Sequence, residues 1–141
     1  MRNLLKLAGA SALLYLAFAI PARAQINNSV NFTTPFPFYA GNTKLPAGSY
    51  KVTQASFDST VLMIESTNGS HSAFVEFTPT QADSGHKATD VGFKKYGTSE
   101  VLSTVWVGGQ QFGMQIEVTK FEQSLAKSGT PTTHSVTAKG Q

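Results

Sequence analysis

His86 stands three residues after Asp83 and four before Asp90, with His71 upstream of all of them. Imidazole nitrogens and carboxylate oxygens brought together in this way are ligands for a divalent cation. Ser84, His86 and Asp90 also supply the residue types of a nucleophile, a base and an orienting acid. Either chemistry needs side chains that converge, yet Asp83, Ser84 and His86 are neighbours on one polar stretch, Pro79 to Lys87 (PTQADSGHK). A solvated loop is the simpler reading. His134 lies far off in the C-terminal stretch. The chain has no G-x-S-x-G, H-E-x-x-H, P-loop or G-x-G-x-x-G pattern. It also has no cysteine, which excludes thiol catalysis and thiolate metal sites. No catalytic residue, metal or cofactor is assigned, and a small metal-dependent hydrolase around His86 is the remotest functional reading.

Binding chemistry has a second candidate in Phe32, Phe36, Phe38 and Tyr39. Exposed together, these rings would form a platform for a sugar or a peptide. Phe36 and Phe38 share a face by alternation, so the competing expectation is that they fill a core. The sequons at Asn27, Asn31 and Asn68 matter only in a host that glycosylates exported proteins.

These side chains must be positioned by the part of the chain that follows a leader. Arg2 and Lys6 precede an apolar run from Leu7 to Ile20, and Pro21 and Ala22-Arg23-Ala24 follow it. This is the pattern of a secretory signal peptide over 1–24, cleaved after Ala24. The run is shorter than the roughly 20 residues a membrane-spanning helix needs, and no later segment is long and apolar enough. The expected location is the periplasm or the cell exterior.

Three of the 11 basic residues leave with the leader, so 11 − 3 = 8 lysines face 8 carboxylates in the remainder. That balance, with no arginine left, argues against a nucleic-acid partner. Without disulfides, stability must come from a core, and 117 residues suffice for one domain.

Short apolar runs separated by turn residues predict an all-β fold: a small antiparallel β-sandwich or barrel of six to seven strands with a short C-terminal helix. Strands are expected near Val30 to Phe38, Ser49 to Ala55, Val61 to Ser66, Ser72 to Thr78, Thr89 to Tyr96 and Val101 to Val107. Tyr50 and Val52 share a face, as do Ala73, Val75 and Phe77, and Val91 and Phe93. Leu102 and Trp106 should share one face of the last strand, with Val101, Val105 and Val107 on the other. Pro35 and Pro37 predict an edge or bulged first strand.

Asn68-Gly69 reads as a type I′ turn and Gly97-Thr98-Ser99 as a three-residue loop. Thr119 and Glu122 form a capping box for a helix near 119–127, carrying Phe121 and Leu125 on one stripe. Residues 25–127 would thus form the domain, and the polar stretch 128–141 a disordered tail.

Leu45-Pro46-Ala47-Gly48-Ser49-Tyr50 reads as a corner, with Pro46 and Gly48 at the second and fourth positions of a turn and Leu45 and Tyr50 anchored in the core. Phe36-Pro37-Phe38, Gly41-Asn42-Thr43, this hexapeptide and Phe93-Lys94-Lys95-Tyr96-Gly97 together resemble a group of small uncharacterised secreted β proteins of environmental bacteria. The resemblance runs over most of Val30 to Lys127 and implies an exported β domain without catalytic residues to carry over. The hexapeptide alone is similar to a turn of prealbumin-like and collagen-binding-B-type sandwich modules, which implies a spacer or adhesive role.

The leading expectation is an exported non-enzymatic module, structural, self-assembling or adhesive. Its uncharged first strand would add to the sheet edge of another copy. The alternative is a carbohydrate- or peptide-binding module using Phe32, Phe36, Phe38 and Tyr39.

Overall fold

The structure is a computed structural model that describes residues 24, 26, 29–81 and 88–140. The expected leader falls outside these residues save for Ala24, as do Asp83, Ser84 and His86 of the polar loop. The strands are β1 (Val30–Thr34), β2 (Phe38–Ala40), β3 (Thr43–Leu45), β4 (Gly48–Gln54), β5 (Val61–Ser66), β6 (Ser72–Gln81), β7 (Asp90–Tyr96), β8 (Ser99–Trp106), β9 (Phe112–Ile116) and β10 (Thr132–Gly140). One helix, α1 (Lys120–Ala126), lies between β9 and β10. No helix among the described residues is long and apolar enough to cross a membrane.

The order β8-β7-β10-β1-β4-β5-β6-β9 closes on itself through β8–β9, and every neighbouring pair in this ring is antiparallel. Eight strands therefore form a closed barrel, with the β2–β3 hairpin added in parallel to β8. A closed barrel replaces the sandwich alternative, and the strands outnumber the six to seven expected. Closure follows from the long β6, whose first half pairs with β5 and whose second half pairs with β9.

Alternation builds the interior as expected in three strands, β4, β6 and β7. Tyr50, Val52, Ala73, Val75, Phe77, Val91 and Phe93 are buried, and Leu62 and Ile64 join them. Phe32, Phe38, Tyr50 and Phe93 meet ring to ring at centroid distances of 5.1 to 6.3 Å. An eight-stranded barrel is just wide enough for side chains to fill, and these rings fill this one.

LPAGSY is the expected corner. Leu45 and Tyr50 are buried, and the Tyr50 hydroxyl donates to the Pro46 carbonyl at 2.5 Å. Gly48 has φ 154°, a backbone conformation that residues with a Cβ rarely adopt.

Four expectations are corrected. First, the stretch 128–141 is not a disordered tail: β10 pairs with β7 on one side and β1 on the other. Its Thr, Ser and Val residues suit an extended chain whose outer face meets water, a pattern that low hydrophobicity alone disguises. Second, β1 is no edge, since β10 and β4 flank it. The prolines instead break the predicted 30–38 strand into β1 and β2, and Thr34 Oγ1 donates to the Phe36 carbonyl across the bend. Third, the Asn68-Gly69 connection is a longer turn in which Gly69 N–H donates to the Ser66 carbonyl. Fourth, pairing of Tyr96 with Ser99 leaves a two-residue loop, Gly97-Thr98.

Candidate functional site

The outer face of β7, β8 and β10 carries the site. A register shift between Gly92 and Phe93 pairs Gly92 with Thr104 but Phe93 with Leu102, leaving Ser103 as an extra residue. Such a bulge inverts the alternation beyond it. Leu102 and Val105, three apart, both join the core, and Trp106 turns outward instead of sharing a face with Leu102.

Trp106 comes to rest against Gly113 of β9. A Cβ on Gly113 would lie 2.3 to 2.7 Å from three atoms of the six-membered indole ring, so only glycine permits this approach. The ring is thereby fixed on one face, half-buried, and forms one wall of an open groove of about 390 Å³. Asp90, pairing directly with Trp106 across the strands, the hydroxyl residues Ser103, Thr104, Thr133 and Ser135, and the rings of Phe93 and His134 line the rest. Gly92 leaves the floor without a side chain.

An aromatic plane beside a carboxylate and several hydroxyls has the chemistry of a carbohydrate site. The apolar C–H face of a sugar ring packs on indole, while its hydroxyl rim donates to carboxylate and exchanges hydrogen bonds with Ser and Thr.

The residues singled out from sequence sit elsewhere. Phe32 and Phe38 are 3% and 0% exposed in the barrel interior and form no platform. Phe36, half-buried, packs edge-on against Phe93 and His134 at 5.2 and 5.3 Å. Tyr39 packs on Phe121 of α1 at 4.6 Å, with Lys44 Nζ 5.8 Å from its ring centre. The four aromatics are therefore not one surface. His71 lies exposed at the β5–β6 turn, where its backbone N–H donates to Ser66 Oγ. Asp90 belongs to the groove described above. Among the described residues no three of His, Cys, Asp and Glu cluster as metal ligands.

His134 is placed by β10 opposite Phe93, with which its ring stacks at 5.8 Å. Its Nε2 lies 2.6 Å from Oε2 of the buried Glu100. With Phe36 over the imidazole, this pair clasps β10 to β8, and His134 also lines the groove beside Thr133 and Ser135.

A second buried carboxylate, Glu122, sits at the start of α1. Thr119 Oγ1 accepts from the Glu122 backbone N–H, as the capping box requires. The Glu122 carboxylate accepts from the Tyr96 hydroxyl at 2.9 Å and has Lys94 Nζ 3.8 Å away. Burial, then the hydrogen bond to Glu122 and its negative charge, push the Tyr96 phenol up to about 12. A phenol that holds its proton more tightly in the folded state favours folding below its unfolded value of 10.0. That contribution is lost as pH rises from 10 towards 12. Chemical denaturation midpoints measured across this window should fall less steeply in Tyr96→Phe than in the parent chain. Equal slopes would show that the Tyr96–Glu122 bond does not couple to folding.

Sequence reasoning puts Trp106 on one face with Leu102 and overlooks Gly113. The signal was the alternation of Phe112, Met114 and Ile116 around a glycine, which is a strand with space for a neighbour's ring. No family model, no curated protein and no solved structure matches the chain.

Proposed function

We propose that this protein is an exported, non-enzymatic β-barrel module that binds carbohydrate in the groove beside Trp106, in the periplasm or at the cell surface. The observation that carries the reading is the indole held against Gly113 with Asp90 and four hydroxyl side chains around it. An adhesive role is one use of such a module. The expected aromatic platform at Phe32 to Tyr39 cannot serve it, because two of its rings are interior. Association through β1 is likewise set aside, since both of its edges are taken.

Trp106 is the only tryptophan, so its fluorescence reports directly on the groove. Soluble plant and bacterial polysaccharides should shift its emission on titration. Trp106→Ala, followed by affinity electrophoresis, should weaken binding at least about thirtyfold, as removal of a dominant aromatic contact does. Gly113→Ala, which keeps the indole but displaces it, should weaken binding too. Retained affinity in both variants would place binding elsewhere and reject this reading.

A further inference from the structure

The groove does not end at β10. Asp90 pairs with Trp106 on one side and with Thr137 on the other, so these three residues form one row across β8, β7 and β10. Continuing the β1–β10 register by one residue brings Thr33 opposite Thr137. Thr33 Oγ1 and Ser49 Oγ lie 2.7 Å apart across β1 and β4. A second depression, of about 370 Å³, is lined there by Thr33, Ser49, Thr137 and Lys139. The two depressions therefore abut at the β7–β10 pair, and together they form a hydroxyl-lined track crossing the strands.

The far end of this track is cationic. Asn31 pairs with Lys139 on β10 and with Lys51 on β4, so two exposed ammonium groups flank one amide. The ion pairs among the described residues are Lys94–Glu122 and His134–Glu100. Lys139 is in no ion pair among those residues and Lys51 has Glu65 opposite it on β5, whereas Asp90 stands at the Trp106 end.

We infer that the track takes an acidic polysaccharide lying across the strands, with an uncharged sugar stacked on Trp106 and a carboxylate-bearing sugar at Lys139. This rests on the carbohydrate reading of the groove and specifies its ligand class. Trp106 and Lys139 are separated by two strand spacings and two residues along β10, roughly 12 Å. A di- or trisaccharide covers that span. The polarity of the track orients the chain, because a carboxylated sugar beside Asp90 meets a like charge while one beside Lys139 gains a charge-assisted hydrogen bond.

The test titrates the full exported chain with acidic oligomers in which a galacturonate or glucuronate alternates with a neutral sugar, and with wholly uncharged galactose and glucose oligomers of the same length. Trp106 fluorescence and affinity electrophoresis provide the readouts. Acidic oligomers should bind about tenfold or more tightly than neutral ones, with affinity falling as salt rises. Lys139→Gln should abolish that advantage and its salt dependence while leaving neutral binding unchanged, and Lys51→Gln should reduce both in part. Both lysines are exposed, and unchanged thermal unfolding of the variants would verify that the barrel is intact. Equal affinity for acidic and neutral oligomers, lost in Trp106→Ala and unaltered in Lys139→Gln, would overturn the acidic assignment and leave the groove reading standing. Binding to none of the oligomers would overturn both.

Discussion

A chain ending at Ser128, and so lacking β10, should give no cooperative thermal transition by circular dichroism and should bind a hydrophobic dye. Removing β10 strips the backbone partners from β7 at residues 90–95 and from β1 at residues 30–32, turning two interior strands into edges. It also removes His134 from the buried Glu100. A buried carboxylate that loses a hydrogen-bond partner costs about 1–3 kcal/mol, and each lost ladder hydrogen bond about 1 kcal/mol. Together these are comparable to the roughly 5–15 kcal/mol that stabilises a typical domain. A truncated chain melting like the parent would refute the place of β10 in the barrel.

Phe38→Ala should lower the unfolding free energy by about 3–5 kcal/mol, the cost of a large-to-small change at a buried aromatic. Phe38 is 0% exposed and packs edge-on against Tyr50 and Phe93 at 5.1 and 5.5 Å, so no neighbour moves easily into the void. Urea titration monitored by circular dichroism measures the shift, and an unchanged m-value would attribute it to the folded state. Binding at the proposed Trp106 groove should be unaltered without denaturant, at temperatures where the variant stays folded, because the Phe38 ring faces the interior. A variant with parent stability and lost binding would return Phe38 to the surface-platform reading.

How much of this was legible depended on the range of the interactions. β5 lies where its apolar run placed it, and the Leu45 to Tyr50 corner and the Thr119 cap follow from residues a few positions apart. Closure of the barrel was not legible, because it rests on Thr104 and Val105 meeting Gln115 and Met114, a pairing no local pattern announces. β10 was missed for a related reason. Only Ala138 of its nine residues is buried, and its strand form is imposed by two neighbours rather than by its own hydrophobicity. For the site, the composition around Trp106 was visible but its direction was not, since a single bulge at Ser103 reverses the parity on which the sequence reading relied.

The insertion of β10 between β1 and β7 also sets when folding can be completed. Val30 pairs with Gly140, so one of the first strands made meets its partner only after the whole domain has been synthesised. Contacts of such long sequence separation form slowly. A nascent chain without β10 leaves the barrel open between β1 and β7. The same pairing that completes the native sheet therefore delays the folded state until the chain has been made through Gly140.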